Sequence, residues 1–395
     1  MPIISGDGVR AAATAGEVFA LIRDGIVTTR SEVRKLTGLS RTAVSARVAA
    51  LAAHGLVTER EEGASTGGRP PTLLRFDADA GVVLAAAVGR SRIQFAVANL
   101  AGVIIAHTDI DSDIGTGPDD LMPDLVKRLE VLLTDTGRHP SEVLGVGVSL
   151  PGTVDQRRGC SLDSPVMSGW DGVELAPYFR GFTDAPVLVD NDANVMALAE
   201  RHGPHRNIDD LLLLKLSTGL GAGIVSGGTL QRGAVGAAGE FGHNKVAAAK
   251  GLLCRCGDIG CLEAVAGGWS LVRALQQQGH EVGHIRDVVE MANRGEAEAR
   301  RLIRESGRHI GEAIAAAVNL LNPALVVVGG DMARAYDIFV AGLREALYGN
   351  ATTLATRQLR VVAVSHGYGS ALQGSAALIL DEILSTDAID ARLAS

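Results

Sequence analysis

Aromatic residues make up only 3% of this 395-residue chain. A surface that grips single-stranded nucleic acid by stacking bases needs Phe, Tyr or Trp platforms, so that mode of binding is excluded. Cysteine is also scarce, with four residues in all. Cys254, Cys256 and Cys261 crowd into eight residues, which suits a metal better than a disulfide framework. No run approaches the roughly 18–20 apolar residues of a membrane span. The start, MPIISGDGVR, lacks the basic segment and apolar core of a secretion signal. A cytoplasmic chain without membrane contact is expected. There is no fixed-period repeat and no low-complexity tail.

Hydrophobic residues, in contrast, reach 47%, and glycine is abundant at 49 residues. That length and apolar content suit two or three domains. Many glycines among Ala and Val fit an α/β protein with tight turns. The net charge of −8 argues against a nucleic-acid binder as a whole. Its distribution is more informative. Residues 1–76 hold ten Lys/Arg against seven Asp/Glu, and the remainder holds 27 against 38. A mildly basic head on an acidic body suits DNA contact confined to one end.

The head reads as three short helices. Residues 15–23 place Val18, Leu21 and Ile22 on one face. Residues 30–36 follow, with Ser31 as a cap. After Thr37-Gly38-Leu39-Ser40 comes a helix over 41–53, capped by Ser40 and striped with Val44, Val48 and Leu51. Two short helices around a glycine turn are the grammar of a helix-turn-helix. Residues 56–60 and 72–76 read as strands flanking a Gly/Pro loop over 61–71, which makes the motif winged. The head is expected to span 1–76, with a boundary near 77–81.

The body, 81–395, begins with strands at 82–88, 92–98 and 103–108. A helix over 121–133, a strand at 143–149 and a short strand at 187–189 follow. A helix begins at Ala193, and an apolar strand interrupted only by Lys215 runs over 211–216. A helix over 310–321 and a strand at 325–328 come later. Strands alternating with helices define an α/β fold, whose glycine turns at strand ends are where ligands sit.

His243, Cys254, Cys256 and Cys261 form an H-x10-C-x-C-x4-C array. Zinc favours four N/S ligands in a tetrahedron, and Cys3His is a closed structural set. One structural Zn2+ per chain is expected, in a loop over 243–263. The alternative is four unrelated buried residues. A fully protein-ligated zinc has no open position for water, so it organises a loop and activates nothing.

Gly236-x-x-Gly239-Glu240-Phe241-Gly242-His243, followed by Cys254-Arg255-Cys256-Gly257-Asp258-Ile259-Gly260-Cys261-Leu262-Glu263, resembles the signature of the ROK family of repressors, open reading frames and kinases. Val189-Asp190-Asn191-Asp192-Ala193-Asn194 is similar to its catalytic segment, and Ser217-Thr218-Gly219-Leu220-Gly221-Ala222-Gly223 to its second phosphate loop. The winged head resembles that of ROK repressors, whereas ROK sugar kinases lack one. The resemblance implies a two-lobed body of actin-like ATPase (ribonuclease H-like) fold. It also implies that Gly152, Asn191, Asp192, Glu240, His243 and Glu263 hold sugar hydroxyls in the cleft. Carboxylates and amides suit vicinal hydroxyls. His243 is placed to hold zinc through one nitrogen and a hydroxyl through the other. Asp192 matches the base of the kinases; read alone, Asp190 and Asp192 could simply cap the following helix.

Two departures separate the chain from the kinases. Their first strand ends in Asp-x-Gly-Gly-Thr-Lys, where glycines approach the nucleotide phosphates and the Asp helps position a metal. Here Ala87 stands at the Asp position and Arg90 at the second glycine. A methyl group cannot position Mg2+, and the Arg side chain fills the space, unless it attracts an anion of its own. No catalytic residue is therefore expected. The second departure is Val166, which replaces a sugar-contacting Asn before Gly169-Trp170. Trp170 packs either under a sugar or in the core.

The expected partners are double-stranded operator DNA and a sugar effector. Arg41, Thr42, Ser45 and Arg47 lie on the exposed face of the third helix. Arg41 or Arg47 would read a guanine edge or bind phosphate. Arg69 on the wing is expected at the minor groove or a phosphate, and Arg30, Arg34 and Lys35 at backbone phosphates. A homodimer or homotetramer would bind paired half-sites, and sugar would alter their spacing. Release from the operator or co-repression both fit. An active sugar kinase with an added head, or a regulator answering to a phosphosugar or a protein, are the alternatives.

Overall fold

The computed structural model describes residues 13–61, 72–111, 115, 117–162 and 167–394. The wing tip with Arg69, and Val166, lie outside the described residues.

The head comprises α1 (Ala15–Arg23), α2 (Arg30–Thr37), α3 (Arg41–Ala53), β1 (Val57–Glu61) and β2 (Thr72–Phe76). Thr29, not Ser31, caps α2. Thr29 has extended backbone, its hydroxyl accepts from the Glu32 amide at 3.2 Å, and its own amide donates to Glu32 Oε2 at 3.0 Å. This reciprocal box needs a Glu three residues on, which Thr29 has and Ser31 lacks. Gly38, at φ 72°, ends the helix in a left-handed turn. Ser40 caps α3 by accepting from the Ala43 amide at 3.1 Å. Val44, Val48 and Leu51 are buried, as their spacing predicts. β1 and β2 pair antiparallel from Val57↔Phe76 to Glu61↔Thr72.

The body is built twice on one plan. β3 (Val82–Val88), β4 (Arg92–Asn99), β5 (Ile104–Asp111), α4 (Pro118–Asp135) and β6 (Val143–Leu150) open the first lobe. A small hairpin of β7 (Val154–Asp155) and β8 (Cys160–Ser161), then α5 (Ala176–Phe179), β9 (Val187–Asn191) and α6 (Asp192–His202), follow. The second lobe holds β10 (Leu211–Leu216), β11 (Leu220–Ser226), β12 (Thr229–Leu230), α7 (Glu263–Ala266), α8 (Gly268–Gln277), α9 (Ile285–Asn293) and α10 (Ala297–Leu321). It continues with β13 (Leu325–Gly329), α11 (Tyr336–Asn350), α12 (Thr353–Thr356) and β14 (Arg360–Ala363). α13 (Ser370–Ile383) and α14 (Thr386–Ala394) complete the chain.

The two sheets have the orders β5-β4-β3-β6-β9 and β12-β11-β10-β13-β14. In each, the first strand pairs antiparallel with the second and parallel with the fourth. Each lobe then sends its last helix across to the other: α6 packs on β10 and β11, and α13 on β3 and β6. The two helices meet where Gly374 faces Val195, so closely that a Cβ would overlap the Val195 carbonyl. This exchange ties the two lobes together.

α10 starts thirteen residues before the expected Ile310. Its N-terminal half is charged outside, where Arg301 pairs with Glu298 and Glu305, while Ala299 and Ile303 continue the buried stripe. The head is not separately packed. Val18, Phe19 and Ile22 of α1 share one apolar cluster with Val83, Ile379, Leu384 and Ile389 of the body. A fully buried Phe or Ile stabilises by about 1.5–3 kcal/mol, and Phe19 and Ile389 are both fully buried there.

Candidate functional site

A cavity of about 680 Å³ lies between the lobes. Turns at the ends of β3, β6, β10 and β13 line it, together with Asn191, Asp192, Glu240, His243 and Glu263. Strand ends supply these groups because the helices of both lobes cover the sheet faces.

Asn191 joins β9 to α6. Its Oδ1 accepts from the Ala193 amide at 2.8 Å and the Asn194 amide at 3.2 Å, and its Nδ2 donates to the Gly152 carbonyl at 2.8 Å. Gly152, at φ 79°, needs the left-handed region. Asn191 is therefore the helix cap, and neither neighbouring aspartate takes that role. Asp190 is buried, held by Asn194 Nδ2 at 2.8 Å and Arg232 Nε at 2.7 Å. Asp192 is also buried, and its Oδ2 accepts from Lys215 Nζ at 2.5 Å. The residue that matches a kinase base is thus already paired with an ammonium.

Glu263 opens α7 and accepts three bonds. The Leu220 amide donates at 2.9 Å, Trp269 Nε1 at 2.9 Å and Arg255 Nη2 at 3.2 Å. Two guanidinium groups stand over the Trp269 ring, Arg255 at 5.1 Å and Arg273 at 4.9 Å from its centre. Glu240 is freer: Thr153 Oγ1 donates to it at 3.3 Å, and His243 Nε2 stands 3.7 Å away. Burial raises the Glu240 carboxyl above its usual range, and Asp192 and Glu263 push the same way.

The ligand atoms of His243, Cys254, Cys256 and Cys261 all lie within 4.8 Å of one another. Cys256 and Cys261 sulfurs are 3.7 Å apart, and His243 Nδ1 is 3.9 Å from Cys254 Sγ. Zinc–sulfur bonds of about 2.3 Å set tetrahedral sulfurs about 3.8 Å apart, so the four atoms fit such an ion. His243 turns Nδ1 toward the sulfurs and Nε2 toward Glu240 and the cleft. Lys245 donates to Cys261 Sγ at 3.1 Å and to Asp258 at 2.8 Å.

At the first turn, Ala87 is buried and Arg90 is exposed beside the cavity. Trp170 is fully buried in the core of the first lobe, which removes it as a platform for a sugar. In the head, Arg34, Arg41, Thr42 and Ser45 are exposed and Arg47 is half-buried. Arg30 differs: both its terminal nitrogens bond Glu59 on β1, at 2.5 and 2.7 Å.

Sequence reasoning missed Lys215, Arg232, Arg255, Trp269 and His284 as cleft or near-cleft groups. Lys215 had a signal, as the one charge in LLLLKL. Arg232 and His284 depend on pairings 42 or more residues away that no local pattern encodes, whereas Arg255 and Trp269 stand 8 and 6 residues from Glu263, within or just beyond the signature.

A model of the ROK family matches residues 83–382. A xylose repressor of Caldicellulosiruptor bescii is 29% identical over 382 residues, covering 93% of this chain and 95% of its own. A match of that reach must include most of residues 1–76. A solved ROK family transcriptional regulator, a homolog of the E. coli MLC protein, aligns with a TM-score of 0.80 and 28% identity, over 96% of this chain and 98% of its own. A ROK glucokinase from Streptomyces griseus, solved with glucose and AMPPNP, aligns with a TM-score of 0.66 and 28% identity. It covers 76% of this chain and 99% of its own.

Proposed function

Because the chain belongs to the ROK family, we propose that it is a sequence-specific transcriptional regulator that senses a sugar in the cleft without phosphorylating it. The observation that carries the reading is the head. A repressor matches 93% of the chain, whereas a complete glucokinase is matched by 76% of it. α3 presents Arg41, Thr42, Ser45 and Arg47 to the major groove, and Arg34 and the wing's Arg69 contact the backbone or minor groove. Arg30 reaches phosphate only by leaving Glu59.

The sugar end of the cleft is formed by Gly152, Asn191, Asp192, Glu240, His243 and Glu263. Glu240 and the cleft-facing His243 nitrogen carry the most unused hydrogen-bonding capacity among them. A structural zinc, one per chain, held by His243, Cys254, Cys256 and Cys261, fixes the imidazole that meets the sugar. Two copies of the chain bind paired half-sites. Ligand closes the lobes, changes the separation of the heads and releases the operator.

A working kinase is the competing reading, favoured by retention of Asp192. Two features oppose it. Ala87 offers no oxygen to a metal, and Lys215 neutralises Asp192. Phosphoryl transfer depends on positioning and charge neutralisation, which both losses remove. The test is a panel of mono- and disaccharides screened by thermal shift, each positive then assayed for phosphorylation by ATP and for its effect on DNA binding. A stabilising sugar that alters DNA affinity and is not phosphorylated supports the reading.

A further inference from the structure

Glu263 reaches the cleft with most of its bonding capacity already spent. An ionised carboxylate offers about four lone-pair sites. Three are taken: Oε1 accepts from Trp269 Nε1 and Arg255 Nη2, and Oε2 accepts from the Leu220 amide. Two glycines shape its seat. A Cβ at Gly219 would stand 2.8 Å from Oε2, and one at Gly267 would stand 2.6 Å from Cγ of the same side chain. Glu263 therefore has little room to turn.

Arg255 enters this seat from the cysteine loop, between Cys254 and Cys256, and borders the cavity with Glu263. It is half-buried, and its Nε is buried without a partner among the described residues. Such a donor is costly to bury. What holds it is the bond to Glu263 and the face of Trp269. Trp269 in turn packs against Cys254, Cys261 and Ala264. The cysteine loop thus reaches Glu263 through two side chains that meet it on one oxygen.

We propose that Arg255 is a positioning residue that sets what Glu263 offers a ligand. With Trp269 it leaves the carboxylate one accepting site in a fixed direction, beside a guanidinium with donors to spare. This end of the cleft takes the proton of one hydroxyl and donates to a neighbouring oxygen. It does not clasp a vicinal diol through both carboxylate oxygens. The ligand class is a neutral sugar whose adjacent oxygens play different roles, one donating and one accepting. The inference rests on the sugar reading for the ligand, but not for the hold of Arg255 on Glu263.

The experiment uses the full chain, which has two tryptophans. Trp269→Phe assigns the two indole N–H signals, and exchange of the Trp269 proton with water is then measured. Arg255→Met keeps a long side chain over the ring but has no donor. It speeds that exchange about tenfold or more, as loss of a bond to a charged group allows, and Arg255→Lys restores part of the protection. The Trp170 signal, from the core of the first lobe, stays in place and shows that the variants are folded. Calorimetry with D-glucose and its single-hydroxyl epimers D-mannose, D-allose and D-galactose reads the ligand. Arg255→Met changes the ratio of affinities between epimers about tenfold, and changes nothing further in a Glu263→Gln background. Wild-type exchange in Arg255→Met, or an effect on selectivity that persists without the Glu263 carboxylate, overturns the proposal. A wild-type chain that binds none of the four sugars contradicts the sugar reading and removes the ligand class, while the indole exchange separately decides whether Arg255 holds Glu263.

Discussion

The amide of Gly16 donates to Asp390 Oδ1 at 2.8 Å, joining residues 374 apart in sequence. It fastens α1 of the head to α14 at the other end of the chain. Arg23 Nη1 donates to the Leu384 carbonyl at 3.0 Å beside it. Only glycine fits at position 16, because a Cβ would run into the Thr386 carbonyl. α13, which precedes α14, begins at Ser370 on the wall of the cleft. One helix pair therefore links the cleft to the DNA-binding head.

Asp390→Ala removes a hydrogen bond to a charged acceptor, worth about 1.5–3 kcal/mol. Hydrogen exchange in α1 is expected to rise while the sheets stay protected. DNA binding persists in this variant, and its response to ligand weakens. Unchanged exchange in α1 would contradict the linkage.

The head offers a test by salt. Glu59→Gln frees Arg30 from its bidentate partner. One more phosphate contact steepens the dependence of log affinity on log salt by about 1. Arg41→Ala is expected to cost about 1–3 kcal/mol at the specific site. Arg34→Ala weakens specific and random DNA alike. Fluorescence anisotropy across a salt series separates the three.

Zinc loading is expected to be pH-dependent. Burial pushes the Cys254 thiol up to about 12, so the metal-free chain carries it protonated at neutral pH. Metal must displace that proton, and affinity falls as pH falls. Calorimetry in buffers of different ionisation enthalpy measures the released protons. If the cluster holds zinc as proposed, Cys261→Ser is expected to abolish a one-to-one zinc content, and Lys245→Met, which removes the ammonium beside Cys261, to weaken zinc about tenfold.

His284 gives a second pH effect. Burial lowers its pKa below the usual 6.5; Arg286 and Arg90 add to the shift, while Asp331 and Asp287 oppose it. An opened chain then binds the proton more readily than the closed one. The contribution of neutral His284 is present above about pH 6.5 and is lost as pH falls below it. Melting temperatures between neutral and mildly acidic pH are expected to fall less steeply in His284→Asn than in wild type.

Much of this was legible in the chain. Val44, Val48 and Leu51 announced α3, Gly38 its preceding turn, and the Cys/His spacing a four-ligand cluster that the fold does assemble. The repeated plan of the two sheets was not legible, because β4, β5 and β11 share no sequence pattern that reveals a duplication. Nor was the Lys215–Asp192 pair: position 215 is marked by its charge, but its partner lies 23 residues earlier on another element. The union of head and body through α14 depends on tertiary packing alone. Ser31 shows the local limit. It has the right chemistry for a cap, yet Thr29 takes the role because Glu32 stands at the spacing that completes the box.

The most direct test of the account titrates a DNA fragment, selected by the protein from random sequence, in the presence of ATP and Mg2+ with and without a sugar found by thermal shift. The account expects tight, sequence-dependent binding, a sugar-induced loss of affinity of about tenfold or more, as coupling free energies of 1–3 kcal/mol allow, and sugar recovered unmodified. Recovery of phosphorylated sugar with turnover abolished by Asp192→Asn, or DNA binding indifferent to every sugar that binds, would contradict it.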